Sequence, residues 1–201
     1  IYYKSNSLKY RTDEFENIDW NNSIVVFGCS MVFGVGVDED ETIPHHIEEL
    51  SGVRTINMGI GGSSNFHTWY NLLQLISAGT KPKAIINVYT TLDRLMYFNE
   101  STVNKLGAWT LIDDKDENEK RLYQSWNFKD TNIVGYGKLL QQTIQTLCKG
   151  IPYVECSYFE HSANSLSVPK LTTIDLARDM KHPGSESHKK SALTIIDLLN
   201  A

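Results

Sequence analysis

The chain has 201 residues, 41% hydrophobic and 10% aromatic, which suits one globular domain with a packed core. Its formal net charge of −5 argues against nucleic acid as a partner. No apolar run approaches the roughly 20 residues that cross a bilayer, so no membrane span is expected. Cys29, Cys148 and Cys156 are odd in number and widely spaced, without a Cys-x-x-Cys pair. That pattern fits neither a disulfide framework nor a zinc site and makes a reducing, cytoplasmic setting the default.

Residues 1–23 are polar with scattered aromatics (Tyr2, Tyr3, Tyr10, Phe15, Trp20), without the apolar core of a signal peptide, and read as an arm on a domain covering 24–201. Ile24 to Phe27 is a short, β-branched apolar run expected to form a fully buried strand. Gly28 ends it and Ser30 falls just beyond its C-terminal end. In open α/β sheets ligands bind along that edge, and a hydroxyl on a tight turn there is a candidate nucleophile. The same Gly-x-Ser pattern also serves as a plain turn or a helix N-cap. Cys29 is a second candidate, although adjacent side chains on a turn point apart and only one can face the site.

Thr42 followed by Pro44 resembles a helix start, with Ile43, Ile47 and Leu50 at helical spacing and Gly52 as the stop. Val53 to Met58 reads as a second strand running into Gly59-Ile60-Gly61-Gly62-Ser63-Ser64. A helix carrying Trp69, Leu72, Leu73, Leu75 and Ile76 follows, ended by Gly79 and Pro82, and Ala84 to Tyr89 is a third strand. Strands alternating with helices predict βαβ units and a parallel sheet, hence an α/β protein of three layers. Right-handed crossovers then place Ser30, Gly62 and the Thr90–Asp93 turn on one sheet edge. Residues 99–132 break the rhythm. The charged run 113–120, flanked by Trp109, Tyr123, Trp126 and Phe128, predicts a solvated inserted loop. Its aromatics suit a lid or substrate wall, a peripheral mini-core or a subunit contact. Ile133–Leu147 is expected to be helical, Ile151–Cys156 a fourth strand and 157–173 a polar loop. Ile174–Ala177 reads as the start of a helix, and Ser191–Leu199 as the closing one.

Asp179 and His182 stand three residues apart in Asp179-Met180-Lys181-His182-Pro183-Gly184. A neutral imidazole is the commonest general base near pH 7, and it works best when a carboxylate fixes its tautomer. Taken alone, the pair is equally an ordinary loop with an exposed histidine.

Together these pieces resemble the SGNH (GDSL-type) hydrolase family. Phe27-Gly28-Cys29-Ser30 stands where that family has Gly-Asp-Ser. Asn57-Met58-Gly59-Ile60-Gly61-Gly62-Ser63 is similar to its second block, Val88-Tyr89-Thr90-Thr91-Leu92-Asp93 falls at its Gly-x-Asn-Asp block, and Asp179 to Gly184 is similar to its last. The resemblance implies a flavodoxin-like α/β/α sandwich and an esterase without metal or cofactor. In it Ser30 is the nucleophile, His182 the base, and Asp179 its orienting carboxylate. The backbone amides of Ser30 and Gly62 belong to the oxyanion hole. It also implies small-acyl substrates, including acetyl groups on carbohydrate. Two places depart from the pattern. Cys29 replaces an Asp that is not a triad member. Leu92 falls where the family has the Asn that donates to the oxyanion, so Thr90, Thr91 or Asn65 is expected to substitute, or the hole runs on backbone donors alone.

The remaining histidines carry little. His45 and His46 lack a His-Glu-x-x-His arrangement and are expected on the surface, His188 is expected as a helical residue after the Pro-Gly turn, and His67 and His161 lack context. Gly28, Gly34 and Gly36 do not have the Gly-x-Gly-x-x-Gly spacing of a dinucleotide site. The rival expectation is a weakly active or inactive protein of the same fold that serves a larger assembly through its aromatic loop. The Gly-Cys-Ser motif is similar to versions in phage-encoded proteins, for which virion association would be expected.

Overall fold

The computed structural model describes residues 2–99, 102–112 and 116–201. Four strands, β1 (Ile24–Gly28), β2 (Thr55–Gly59), β3 (Ala84–Tyr89) and β6 (Tyr153–Ser157), form a parallel sheet in the order β2-β1-β3-β6. Successive side chains of a strand point to opposite faces, and here both faces are covered. Val25, Phe27, Ile56, Met58, Ile85 and Tyr89 pack under α3 (Asn65–Ser77) and α5 (Asp130–Leu147), through Leu72 and Ile144. Ile24, Val26, Ala84, Ile86, Val88, Val154 and Cys156 pack under α2 (Ile43–Ser51) and α7 (Ser185–Leu199), through Ile43, Ile47, Ala192 and Ile195. Double coverage is why the strands read as unbroken apolar runs rather than as alternating ones. The layers are therefore α/β/α, as expected. No described helix is long and apolar enough to cross a membrane.

From β1 the chain moves to β2 on one side, then returns to place β3 on the other. That reversal opens a crevice above the C-terminal ends of β1 and β3, and Ser30 stands at its floor. It begins α1 (Ser30–Phe33), a single helical turn.

The expected loop at 99–132 is built otherwise. Leu95–Asn99 (β4) and Thr102–Leu106 (β5) form an antiparallel hairpin, a 3-10 turn spans Ala108–Leu111, and Glu117–Trp126 is a helix, α4. The first three residues of the charged run, 113–115, lie outside the described residues. Tyr123 is the buried residue of α4 and donates to Asp93 Oδ2 at 2.5 Å, tying the insertion to the end of β3. Burial, reinforced by that carboxylate, pushes the Tyr123 phenol up. The polar stretch 157–173 contains the helix α6 (Glu160–Leu166). Ile174–Ala177 does not start a helix. It is an irregular segment bridged at Leu176 to Pro183, while Asp175 Oδ1 accepts from the Ser187 amide at 2.8 Å and so caps α7 at Ser185, six residues before the predicted start.

Among its described residues the arm has no strand and two 3-10 turns, Phe15–Asn17 and Trp20–Asn22. Arg11, only 3% exposed, donates to the carbonyls of Phe33 (3.2 Å), Gly34 (2.9 Å) and Val37 (3.2 Å). Its guanidinium lies over the rings of Tyr3 and Phe33.

Candidate active site

The position of Ser30 is set by close approach of backbones. A Cβ on Gly28 would stand 2.5 Å from Val32 Cγ2, and one on Gly59 would run into the Phe33 amide nitrogen and lie 2.8 Å from the Val32 carbonyl carbon. Only glycines at the ends of β1 and β2 let α1 sit between them. Asn57 completes the seat. Its Nδ2 donates to Val32 O and its Oδ1 accepts from the Gly59 amide, both at 3.0 Å. Cys29 is buried, with its Sγ 3.9 Å from Ser30 Oγ. The serine hydroxyl also meets the histidine.

That histidine is delivered by the segment between Leu176 and Pro183. The Ala177 amide donates to His182 O at 2.8 Å, and Met180 takes a left-handed backbone at φ 58° to close the turn. A methionine there is strained, and the turn it closes aims two side chains at Ser30. Asp179 Oδ1 accepts from the amides of Lys181 and His182, each at 3.0 Å, and Asp179 Oδ2 lies 2.5 Å from His182 Nδ1. His182 Nε2 is 2.9 Å from Ser30 Oγ. A carboxylate cannot donate, so Nδ1 carries the proton and Nε2 is left to accept from the serine. Burial works to raise the Asp179 pKa, but bonds from the His182 ring and from the His182 and Lys181 amides outweigh it and hold the carboxyl down at about 2. Gly36, left-handed at φ 86°, lies close against this loop, its carbonyl accepting from the Arg178 amide at 3.2 Å and its amide donating to Tyr3 Oη at 2.8 Å.

On the other side of Ser30, the loop after β2 is held by Ile60 N–H and Ser63 Oγ, which donate to Gly28 O at 3.2 and 3.1 Å. Gly62 is left-handed at φ 71°. Neither the Ser30 nor the Gly62 amide donates to an acceptor among the described residues. Ser30, His182 and Asp179 thus sit together at the crevice, with Gly62 on the neighbouring loop that is held to Gly28.

The residues expected to stand in for the missing asparagine have the following surroundings. Asn65 is engaged at both ends by Thr90, its Oδ1 accepting from the Thr90 amide at 2.9 Å and its Nδ2 donating to Thr90 O at 3.3 Å. Thr90 Oγ1 is sealed from solvent. Thr91 lines a separate cavity with Asp130 and His161. Leu92 itself turns into the core, against α5 at Gly137. The sequence offered no warning of this, because the β3 end reads the same whichever way Leu92 points.

Sequence reasoning passed over Arg94, and named Trp109 among aromatics suited to a lid or substrate wall, a mini-core or a subunit contact. Arg94 Nη1 donates to Ser63 O at 3.3 Å, and its guanidinium lies 5.2 Å from the Trp109 ring centre and 5.9 Å from that of Phe159. Trp109 borders Gly62, and beside it opens a cavity of about 370 Å³ lined also by Val103, Asn104, Lys105 and Glu119. The inserted hairpin therefore forms a wall of the crevice next to Gly62. The usable signal was an Arg five residues past a buried strand that ends at the crevice.

The other histidines lie elsewhere. His188 is fully buried in α7 and accepts the Ile43 amide on Nδ1 at 3.1 Å; burial, with His46 nearby, pushes its pKa down to about 4. His46 is largely covered rather than on the surface, and pairs with Glu49 as the more exposed His45 does. His67 bonds Tyr10 Oη at 3.1 Å and exposed His161 pairs with Asp130. Among the described residues no group of three His, Cys, Asp or Glu side chains is placed to hold a metal ion.

No protein-family profile matches the chain, and no curated protein sequence does. Solved structures do. An acetyl xylan esterase from the rumen bacterium Butyrivibrio proteoclasticus superposes with a TM-score of 0.54 at 14% identity, over 90% of this chain. The present chain spans only 64% of that enzyme's length. A lipolytic protein of the G-D-S-L family from Desulfitobacterium hafniense superposes with a TM-score of 0.51 at 13% identity, over 89% of this chain and 99% of its own. At such identities the likeness is one of architecture, and on that footing the chain has the α/β fold of the SGNH, or G-D-S-L, hydrolases.

Proposed function

We propose that the protein is a serine ester hydrolase acting on small-acyl esters, acetyl groups on carbohydrate among them. The observation that carries this reading is the relay from Ser30 Oγ to His182 Nε2 (2.9 Å) and from His182 Nδ1 to Asp179 (2.5 Å), beside the unengaged Gly62 amide. Ser30 Oγ bonds to the acyl carbon, the carbonyl π electrons move to oxygen, and the serine proton passes to His182 Nε2. The carbon–alkoxy bond then breaks and the departing oxygen takes that proton. Water activated by the same nitrogen attacks the acyl-enzyme, and the acid leaves as Ser30 regains its proton. Asp179, ionised at any pH well above about 2, holds the tautomer and stabilises the imidazolium. The acetyl xylan esterase of the same fold supports an acetylated carbohydrate as substrate, and the polar lining of the cavity beside Gly62 (Asn104, Lys105, Glu119) suits hydroxyl groups. No residue of this chain in the scheme needs a metal or organic cofactor.

A fluorophosphonate probe and p-nitrophenyl acetate test the reading. Labelling and turnover present in the wild type and absent in Ser30→Ala and His182→Ala, at unchanged Tm, support it. A wild type that neither labels nor turns over defeats it.

A second reading has one observation in its favour. The insertion exposes Phe98 (61%), Leu111 (47%), Ile112 (84%) and Phe128 (75%), large apolar side chains that a solvated wall does not require. A binding component of a larger, for instance virion-associated, assembly would use that surface whether or not Ser30 reacts. Size-exclusion chromatography with Ile112→Ser and Phe128→Ser variants separates this reading from the first.

A further inference from the structure

We propose that Arg94 donates the third hydrogen bond to the acyl oxygen, in the place that Leu92 leaves without a donor. This inference rests on the esterase reading above.

The other side chains near the end of β3 are less accessible. Asn65 is buried and commits its Oδ1 and one of its two N–H groups to Thr90, Thr90 Oγ1 and Ser64 Oγ are sealed from solvent, and Leu92 is in the core. An oxygen that water cannot touch cannot be touched by a substrate. Arg94 differs on each count. It is half-buried and reaches back over the end of β3 to Ser63, the residue after the Gly62 donor. Trp109 and Phe159 hold its guanidinium, and the Trp109 ring edge stands 3.6 Å from where a Gly62 Cβ would be. Arg94, Trp109 and Gly62 are thus mutual neighbours at the crevice.

Two features make it a donor rather than a strut. A guanidinium carries five N–H groups in a rigid fork, and Arg94 commits one to Ser63 O among the described residues. None of the ion pairs among the described residues involves it, so its charge is not neutralised by a carboxylate at contact distance. A cation held in place by aromatic faces, next to the Gly62 amide that has no acceptor among the described residues, is an arrangement that strengthens as charge moves onto an acyl oxygen. In the attack step Ser30 Oγ supplies the pair for the new Oγ–carbon bond, the carbonyl π pair moves onto the oxygen, and that oxygen receives N–H groups from Ser30, Gly62 and Arg94. When the carbon–alkoxy bond breaks, that pair returns to the carbonyl and Arg94 keeps its protons throughout.

The test uses the full chain as wild type, Ser30→Ala, Arg94→Gln and Arg94→Lys. Three quantities are read: the second-order rate of fluorophosphonate labelling, and kcat and KM for p-nitrophenyl acetate and for the carboxylate-bearing p-nitrophenyl hemisuccinate. Arg94→Gln is expected to slow labelling and lower kcat about 100-fold for both esters, with KM and Tm near wild type. Arg94→Lys, which keeps charge but not the fork, is expected to lose roughly 10-fold. Labelling and kcat unchanged in Arg94→Gln would overturn the proposal while leaving the esterase reading intact. So would a loss confined to KM for the hemisuccinate, which would make Arg94 a binder of substrate anions. Should Arg94→Gln fail to fold, an unchanged kcat in Arg94→Lys overturns the proposal. A wild type inert to probe and esters removes the esterase reading and this proposal together.

Discussion

Replacing Gly59 by alanine tests whether the seat of the nucleophile matters as much as its chemistry. The new Cβ would meet the Phe33 amide nitrogen and lie 2.8 Å from the Val32 carbonyl carbon and 2.9 Å from Val32 Cβ. Carbon atoms rest near 3.5 to 4 Å, so α1 must retreat from β2 by roughly 1 Å. Overpacking of this kind costs about 1–3 kcal/mol in stability. Ser30 opens the displaced turn, and its 2.9 Å contact with His182 has no slack for such a shift. A misplacement of about 1 Å at a reacting group can cost on the order of 100-fold in rate. Gly59→Ala is therefore expected to lower kcat for p-nitrophenyl acetate about 100-fold while remaining folded by circular dichroism. Gly135→Ala, in α5 with nothing near its would-be Cβ, serves as the control and is expected to keep kcat and raise stability by about 1 kcal/mol. Wild-type kcat in Gly59→Ala would refute the reasoning, because the turn would then have absorbed the methyl without moving Ser30.

Three further outcomes follow from the same geometry. Asp179→Asn presents an amide donor to His182 Nδ1, forcing the proton onto Nε2, and is expected to lower kcat about 10,000-fold with little change in Tm. His188 has a folded pKa near 4 against an ordinary 6.5, so the unfolded chain binds the extra proton. Stability falls as pH drops from 6.5 toward 4, by about 3 kcal/mol from this group. Urea titrations from pH 7 to 4 should show that loss in the wild type and a shallower one in His188→Asn, which keeps an acceptor for the Ile43 amide but does not titrate; parallel losses would show that the group is not responsible. Arg11→Met strands buried carbonyl acceptors and is expected to cost about 3 kcal/mol by urea denaturation, with esterase activity lost together with the order of the loop it holds.

The sheet was legible because its strands are apolar on both faces, and because Gly and Pro mark where the helices of the first half end. Ser30, Gly62, Asp179 and His182 stood out in the sequence for a different reason: each falls at a strand end or a turn, and the family resemblance singles out those positions. What escaped is what periodicity cannot see. The polar first turns of α7, Ser187 and His188 included, are buried through hydrogen bonds to Asp175 and Ile43 rather than through apolar contact. The same Asp175 bonds keep Ile174–Ala177 from becoming helical. The insertion at 99–132 was illegible because α4 buries one residue, Tyr123, which leaves no stripe, and because the hairpin is placed by distant contacts, Phe98 against Tyr70 of α3 and Lys105 Nζ on Gly61 O. The loss of a donor at Leu92 was visible, but its replacement depends on side-chain direction, which sequence does not carry.

The grip of Arg11 has a consequence for variation among relatives. Every acceptor it uses in the turn after α1 is a main-chain oxygen, of Phe33, Gly34 and Val37. The arm therefore constrains the path of that turn through its backbone, and meets one of its side chains, the Phe33 ring. In a saturation mutagenesis survey scored on folding, Arg11 should tolerate almost nothing, while Val35 in the turn it clasps should drift freely. Such a distribution would place the most restricted position of this region in a segment that, by composition alone, looks dispensable.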